Sequence, residues 1–459
     1  MEQKHQVQNM KRRKFLTITS LASASAFSYG LRILPTVPIG SKLNVGLIGL
    51  GARGQSHLDE LCKRNDVEII ALADPDSNWA IPTSLEIIKR GLRKEPQLFV
   101  KGDNDYLRLL EIKELDAVII STPWEWHVKQ GIAALEAGKK VGMEVAGALN
   151  VQECWDIVNA VEKTGTPLMF LENVCYRRDV MAVMNMAKRG VFGELLHLQG
   201  GYQHDLRAVK LNDGKSPYGK GVEFGDNGFS ESKWRTPHSV NRNGELYPTH
   251  GLGPIAMMTD INRGNRLISL NSVSTKSRGL HKYIVDNGGA QHKNAAVDFK
   301  LGDIVTTLLT TANGETMMLS HDTSSPRPYS LNFRIQGTQG LWMDDLQQIH
   351  IEGKTKPHVW ETDQTCMETY DHPLWKKYSE EAKNAGHGGM DFFVLNAFIE
   401  CCKNNEEFPL DVYDMATWSV ITPLSEISVK EGGSRQEIPD FTKGQWNQRK
   451  NTFNHRADY

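Results

Sequence analysis

Short apolar segments alternate with segments of helical spacing along the first third of the chain. Leu43–Ile48 and Val67–Ala73 are apolar runs of strand length, and residues 55–63 between them have helical spacing. The alternation continues with strands predicted over residues 115–121, 140–144 and 167–171, and with helices predicted up to Ala137 and over Val151–Thr164. Strands that alternate with helices form parallel sheets. The pattern therefore predicts an α/β domain with a doubly wound parallel sheet.

The second half of the chain has a different period. Residues 330–336 alternate the apolar Leu331, Phe333 and Ile335 with polar side chains, as a half-buried strand does. Further strands are predicted over residues 195–202, 267–275, 304–311 and 316–321, and helices over residues 390–403 and 412–429. Successive strands joined by short turns predict an α+β domain with an open, mainly antiparallel sheet. We expect the open face of this sheet to be exposed or to form a homodimer.

Length and composition indicate a two-domain globular protein. A chain of 459 residues exceeds one ordinary core, so domains are expected over residues 42–172 and 173–440, with a tail at 441–459. The formal net charge of -2 provides no field that would attract a polyanion, so nucleic-acid binding is not expected. The six cysteines form no CxxC pair and the histidines no HxH or HxxxH pair, so no metal site is predicted.

Residues 1–31 have the organisation of an export signal. Basic residues precede an uncharged apolar stretch over residues 15–27, and Ala22-Ser23-Ala24 has the small-x-small pattern of a cleavage site. The apolar stretch is too short for a stable membrane span. Arg12-Arg13-Lys14 resembles the centre of a twin-arginine signal, which predicts export to the periplasm. The alternative is a solvated basic tail on a cytosolic protein.

A glycine-rich motif follows the first predicted strand. Its sequence is Gly49-Leu50-Gly51-Ala52-Arg53-Gly54, and the second strand ends at Asp74, twenty residues beyond Gly54. Glycines at these positions allow a tight turn and a close approach to a pyrophosphate, and the acidic residue binds the adenosine ribose and repels a 2′-phosphate. The motif predicts a Rossmann domain that binds NAD rather than NADP. A glycine-rich turn in an unrelated α/β protein is the alternative.

Further candidate cofactor residues follow other strands of the parallel sheet. Ligands of such sheets bind at the carboxyl ends of the strands. The residues in these positions are Trp124, Glu125, Trp126, His127, Glu144, Val145 and Asn173. The structural alternative for the tryptophan-rich segment is a position in the hydrophobic core. The structural alternative for Asn173 is that it caps a turn.

A Rossmann domain followed by an open antiparallel sheet resembles the superfamily of glucose-fructose oxidoreductase, inositol dehydrogenase and rhizopine catabolism proteins (Gfo/Idh/MocA). The resemblance covers nearly all of residues 43–440. Most members carry Glu-Lys-Pro after the fifth strand, and the lysine assists hydride transfer at a sugar hydroxyl. This chain has Glu144-Val145-Ala146 there. Because valine cannot transfer a proton, the sequence argues against a simple sugar dehydrogenase.

Several longer strings stand out along the chain: STPWEWH at 121–127, GMEVAGA at 142–148, LENVCYRRDV at 171–180, GGYQHDLR at 200–207, KWRTPH at 233–238, NRNGELYPTHGLGP at 241–254, RGLHKYIVD at 278–286 and AGHGGMDFF at 385–393. Together they are similar to glycoside hydrolase family 109, the bacterial NAD-dependent α-N-acetylgalactosaminidases. The resemblance implies a substrate with terminal α-linked N-acetylgalactosamine. It also implies oxidation at sugar carbon 3, elimination of the aglycone, addition of water and re-reduction, with NAD regenerated in every cycle.

The same resemblance implies roles for individual residues. Tyr202 and His250 would transfer protons, and Arg235 would lower the pKa of the Tyr202 phenol. The residues implied to hold the sugar are Glu172, Tyr202, Arg235, Tyr247 and Tyr329, and those implied to contact NAD besides the Rossmann set are Tyr247, Pro248, Thr249 and His250. Each has a structural alternative: an aromatic core position for Tyr202, a helix cap for His250 and an ion pair for Arg235.

Two other functions are compatible with these motifs. One is an NAD-dependent oxidoreductase of a sugar, which Val145 argues against. The other is a non-catalytic sugar-binding protein that keeps NAD as a structural ligand, which the predicted clustering of Tyr202, His204, Tyr247 and His250 argues against.

Overall fold

The computed structural model describes residues 42–453. The predicted export signal and the end of the predicted tail lie outside these residues. Within the described part of the chain, no helix has both the length and the apolar character needed to cross a membrane.

Six parallel strands form the first sheet, in the order β3-β2-β1-β4-β5-β6. They are β1 (Leu43–Ile48), β2 (Val67–Ala73), β3 (Gln97–Phe99), β4 (Ala117–Ile120), β5 (Lys140–Met143) and β6 (Leu168–Phe170). The intervening helices are α1 (Ala52–Cys62), α2 (Ala80–Arg90), α3 (Tyr106–Leu110), α4 (Trp124–Glu136) and α5 (Val151–Thr164). The strand order reverses beside β1, and this opens a crevice at the carboxyl ends of β1 and β4. The predicted doubly wound sheet is confirmed.

The local sequence accounts for these elements. All four residues of β4 are buried, which fits a strand covered by helices on both faces. Helix α5 begins after Asn150, whose side chain accepts from the backbone N–H of Glu153, and ends at Gly165, whose φ of 67° favours glycine.

Nine strands form the second sheet, in the order β14-β13-β12-β11-β7-β10-β9-β8-β15. They are β7 (Leu195–Gln203), β8 (Leu267–Ser274), β9 (Ile304–Thr311), β10 (Thr316–Asp322), β11 (Arg334–Gly337), β12 (Gly340–Met343), β13 (Gln348–Ile351), β14 (Glu361–Thr362) and β15 (Gln436–Glu437). All neighbouring pairs are antiparallel except β7 and β10, which are parallel. The predicted mainly antiparallel sheet is confirmed.

Further helices accompany the second sheet. They are α6 (Arg178–Lys188), α7 (Arg207–Lys210), α8 (Glu231–Asn241), α9 (Thr249–Met258), α10 (Gly279–Gly288), α11 (Gln364–Tyr370), α12 (Pro373–Ala382), α13 (Met390–Asn404), α14 (Val412–Ser419) and α15 (Ile421–Lys430). One continuous hydrophobic core joins side chains from both sheets.

Two predicted elements differ from the structure. In the strand predicted over residues 330–336, regular pairing with neighbouring strands begins only at Arg334. Asn332 has a φ of 52°, which an extended strand does not allow, and Ser330 makes only an isolated bridge to Gln203. The helix predicted over residues 412–429 is two helices, because Pro423 lacks the N–H that would bond the carbonyl of Ser419 at the junction.

Candidate active site

The glycine-rich turn between β1 and α1 requires its first and third glycines. Gly49 has a φ of 89°, and a Cβ there would lie 2.7 Å from the backbone nitrogen of Thr122. A Cβ on Gly54 would lie 2.0 Å from the carbonyl oxygen of Gly49. Gly51 faces open space, since its Cβ would meet no atom within 4 Å. The turn is thus tightly packed behind and open on the side where a pyrophosphate binds.

A cavity of about 990 Å³ lies in front of this turn. Asp74 lines the cavity at the end of β2. Its carboxylate accepts from the backbone N–H groups of Leu50 (2.6 Å) and Asp76 (2.8 Å), and burial raises its pKa. Of the residues predicted to bind the cofactor, the cavity wall contains Gly49, Gly51, Ala52, Arg53, Asp74, Glu125 and Trp126. The volume and the wall suit a dinucleotide.

Ionic contacts fix Arg53 at the edge of the cavity. Its Nε donates to Glu144 (2.7 Å) and its Nη1 to Asp391 (2.7 Å). His57 also contacts Glu144 (2.7 Å), and Asn173 Nδ2 donates to Asp391 (2.8 Å). Burial opposes ionisation of Glu144, but Arg53 and His57 together lower its pKa to about 2. The carboxylates of Glu144 and Asp391 therefore stay charged and hold the guanidinium in place.

Several predicted cofactor residues lie beside the cavity instead of in its wall. Val145 is buried after β5, and its N–H donates to its neighbour Glu144 (3.0 Å). His127 is buried with Nε2 bound to the carbonyl of Thr122 (2.8 Å), and burial lowers the pKa of its ring. Pro248 and Thr249 form the start of α9. Direct contact of these residues with NAD stays a prediction.

The aromatic residues predicted to act on the sugar form one cluster. The ring of Tyr202 lies 4.5 Å from that of Tyr247 and 5.3 Å from that of His250, measured between centroids. The Tyr202 hydroxyl contacts His204 Nδ1 at 3.2 Å. Tyr329 lies at the rim, 49% exposed, with its ring 4.9 Å from that of His204. Strand β7 and helix α9 thus bring together residues that are far apart in the sequence.

His250 and Glu172 form a dyad behind this cluster. His250 Nδ1 lies 2.7 and 2.9 Å from the two carboxylate oxygens of Glu172. Glu172 is fully buried and also accepts from the backbone N–H of Val174 (3.0 Å). The contact of Glu172 with Nδ1 fixes the orientation of the imidazole. Nε2 is the ring nitrogen that Glu172 does not engage. In the structure the carboxylate of Glu172 contacts His250. A direct contact of Glu172 with the sugar stays a prediction.

Arg235 lies next to Tyr202 but does not lower its pKa below the ordinary value. Burial raises the pKa of Tyr202 to about 12, and this effect exceeds the opposing effect of the Arg235 charge. The guanidinium pairs with Glu231 (2.6 Å) and lies over the rings of Trp124 and Tyr247 at 5.2 and 5.3 Å from their centroids. The Arg235 charge thus lowers the pKa of the phenol, in the direction that the resemblance implies, but burial raises this pKa by more.

Sequence reasoning missed several residues around this site. Lys210 is buried, donates to Thr323 Oγ1 (2.7 Å), and lines a small void together with Tyr202, Arg235 and His321. Burial, and then the Arg235 charge, lower its pKa to about 7. No sequence signal identifies Lys210. Asp391 and His387 lie within the string AGHGGMDFF at 385–393, which was a usable signal for the contacts around Arg53.

Comparisons with known proteins agree with this geometry. Residues 43–171 match the family model "Oxidoreductase family, NAD-binding Rossmann fold". A glycosyl hydrolase family 109 protein of Stenotrophomonas maltophilia is 50% identical over 97% of this chain and 98% of its own length. An α-N-acetylgalactosaminidase of Tannerella forsythia is 48% identical over 90% of this chain and 88% of its own length.

A solved levoglucosan dehydrogenase in complex with NADH has the same fold, with a TM-score of 0.62, 19% identity and coverage of 87% of this chain and 100% of that chain. The second half of the molecule carries the Tyr202 and His250 cluster. Residues 176–448 match the model "Glycosyl hydrolase 109, C-terminal domain". With this match and relatives at 48–50% identity along nearly the whole chain, the protein belongs to glycoside hydrolase family 109.

Proposed function

We propose that this protein hydrolyses terminal α-linked N-acetylgalactosamine and recycles NAD in each turnover. The observation that carries the proposal is the Tyr202 and His250–Glu172 cluster in a chain with a dinucleotide cavity. Support comes also from the relative of Tannerella forsythia, which is named α-N-acetylgalactosaminidase. Val145, where dehydrogenases of the superfamily carry the lysine, supports hydrolysis over net oxidation.

The residues around the cavity fit NAD. Gly51 leaves open space at the start of α1, Asp74 carries the carboxylate for the ribose hydroxyls, and Arg53 is held at the cavity edge. When bound, NAD supplies the acceptor that oxidises carbon 3 of the sugar and the donor that reduces it again.

The chain supplies the proton transfers. Tyr202, after its phenol proton has passed to the neighbouring His204 Nδ1 (3.2 Å), takes the proton from carbon 2 of the oxidised sugar, and the bond from carbon 1 to the aglycone oxygen breaks. Water then adds at carbon 1, and Tyr202 returns the proton to carbon 2. His250, oriented by Glu172, moves the proton of the carbon 3 hydroxyl. Arg235 binds sugar oxygens and stabilises negative charge that develops during the elimination. Tyr247 and Tyr329 flank Tyr202 and bind the sugar ring.

Incubation with an aryl α-N-acetylgalactosaminide, with and without added NAD⁺, tests the proposal. We expect release of the aryl group with no net NADH. Stoichiometric NADH would indicate a sugar oxidoreductase, and binding without aryl release would indicate a sugar-binding protein. A 3-deoxy analogue is the matched control substrate, because it has no hydroxyl to oxidise; its normal turnover would contradict redox-assisted elimination.

We also propose that the protein is exported to the periplasm through a twin-arginine signal. The support is the sequence Arg12-Arg13-Lys14 followed by an uncharged apolar stretch. Fractionation of cells that express the wild type or the double variant Arg12→Lys, Arg13→Lys tests this. We expect the wild type in the periplasm and the variant in the cytoplasm, and equal distributions would contradict the proposal.

The open face of the second sheet supports a further proposal, a homodimer. Val273 and Leu308 lie on one face of the β8–β9 pair and are 59% and 53% exposed, and Ile304 on β9 is 38% exposed. Exposed apolar side chains grouped on a sheet face are typical of a surface that a second copy covers.

A further inference from the structure

One wall of the dinucleotide cavity comes from the second half of the chain. Asp226, Gly228, Phe229, Ser230 and Glu231 line the cavity together with the glycine-rich turn and Asp74. Helix α8 begins in this stretch, and its residues Trp234 and His238 continue the same wall. A ligand that fills the cavity therefore contacts both halves of the molecule.

Two aromatic rings meet at the Asp74 end of the cavity. Trp79, just before α2, and Phe229 both line the cavity, and their ring centroids lie 5.1 Å apart in an edge-to-face arrangement at 68°. The indole is placed by its own backbone N–H, which donates to Asp76 (2.9 Å). Both rings and Asp74 line the same cavity. In a Rossmann domain this end of the cleft receives the adenosine half of the cofactor.

A buried asparagine fixes the position of Phe229. Asn212 Nδ2 donates to the carbonyl of Phe229 (2.8 Å), and Asn212 Oδ1 accepts from the N–H of Phe229 (3.2 Å). Ser232 Oγ accepts from the same N–H (3.0 Å). Asn212 is itself fully buried, and its backbone pairs with Glu223 in both directions. Both polar backbone groups of Phe229 are thus held by one amide, which leaves its ring directed at the cavity.

We propose that residues 226–230, fixed by Asn212, form a clasp whose Phe229 ring joins Trp79 in binding the adenine base and slows release of the cofactor. The proposal rests on NAD being the ligand of the proposed function. An aromatic wall suits a purine because flat apolar rings pack on one another, and Asp74 beside it suits the attached ribose. Slow release suits a catalyst that regenerates NAD in each turnover and has no need to exchange it.

The dissociation rate of the cofactor tests the clasp without use of the glycosidase reaction. Purified protein is loaded with NADH, diluted into excess NAD⁺, and followed by NADH fluorescence. We expect Phe229→Ala and Trp79→Ala each to raise the dissociation rate roughly 5- to 100-fold, the range for loss of one base-stacking ring. Phe229→Tyr should restore slow release. Tyr218→Ala is the matched control, because Tyr218 is an aromatic residue shortly before the clasp that is 68% exposed and lies outside the cavity wall.

Binding of ADP-ribose assigns the effect to the adenosine end, because this probe lacks the nicotinamide. Phe229→Ala should weaken ADP-ribose binding by the same factor as NADH binding. Unchanged NADH release and unchanged ADP-ribose affinity in both alanine variants would overturn the clasp. A wild type that binds NADH but cleaves no glycoside, with faster release from Phe229→Ala, would overturn the proposed glycosidase and leave the clasp standing.

Discussion

For Tyr202 and Lys210 in the active site, burial is the largest cause of the shift in side-chain pKa. Tyr202 illustrates this, since its surroundings raise the phenol pKa to about 12 in spite of the nearby Arg235. Lys210 illustrates the opposite direction, because the same burial lowers an ammonium pKa. The resemblance predicted Tyr202 as a proton acceptor, but only the three-dimensional environment shows how strongly the neutral phenol is favoured.

Substitution of Tyr202 tests its role as the carbon 2 base. Tyr202→Phe keeps the ring packing against Tyr247 and removes the proton acceptor, so kcat should fall by a factor of roughly 100 or more. In deuterated water the wild type should return product labelled at carbon 2. Tyr247→Phe is the matched control and should lose less in kcat. Unchanged kcat and normal labelling in Tyr202→Phe would assign the base to another residue, with His204 as the next candidate.

Lys210 should make stability depend on pH. Its folded pKa of about 7 lies below the ordinary 10.5, so between these values the unfolded chain binds a proton that the folded chain does not. Lys210 therefore makes the free energy of unfolding rise with pH between about pH 7 and pH 10.5. Below about pH 7 the lysine is protonated in both the folded and the unfolded chain, so its effect on the free energy of unfolding no longer changes with pH. The wild type should gain stability relative to Lys210→Met from about pH 7 to pH 10 in urea unfolding. Lys282→Met, at an exposed lysine, is the control; a Lys210→Met difference that is constant with pH would refute this assignment.

At the scale of elements, the strands that support the cofactor site could be predicted from sequence and several others could not. Strand β4 is apolar at every position, and the turn after β1 has an unmistakable glycine pattern. Strands β12 to β14 have two to four residues each, too few to show a period. The wall formed by residues 226–242 includes the string KWRTPH at 233–238, but no sequence signal placed it at the cavity, because that position follows from tertiary packing.

The junction of α13 with α1 depends on one buried carboxylate. Asp391 accepts from Arg53 (2.7 Å) and from Asn173 (2.8 Å) and is fully buried. Asp391→Asn should lower the free energy of unfolding by about 1–3 kcal/mol, since the guanidinium loses one of its two carboxylates. Glu400→Gln on the same helix breaks a partly exposed pair with Arg64 and should cost under about 1 kcal/mol. Equal losses in denaturant titrations of the two variants would contradict this ranking.

At the scale of the whole molecule, sequence predicted the order of a Rossmann sheet and an antiparallel sheet. It did not predict that both halves contribute walls to one cavity, which requires knowledge of how the sheets pack. The residues of the cluster around Tyr202 were grouped as one site only through the resemblance, because they are widely separated along the chain. Spacing alone left each of them with a structural alternative.

The proposed homodimer leads to a prediction at this scale. Leu308→Glu places a charge in the middle of the exposed apolar face and should convert a dimer to a monomer in sedimentation analysis. Leu92→Glu is the matched control, because Leu92 is 93% exposed and lies on the Rossmann domain. A wild type that sediments as a monomer at micromolar concentration would contradict the dimer.

The parallel pairing of β7 with β10 has a consequence for folding during synthesis. The strand that carries Tyr202 lies between β10 and β11, and Tyr202 is opposite His321, which the ribosome adds long afterwards. The Rossmann sheet uses partners that emerge early, so it can form while β7 still has two open edges. The slow, non-local closure of the second sheet is then the step that assembles the cluster around Tyr202. A chain that ends before β10 would have the Rossmann sheet but would lack the strand that pairs with β7 beside Tyr202.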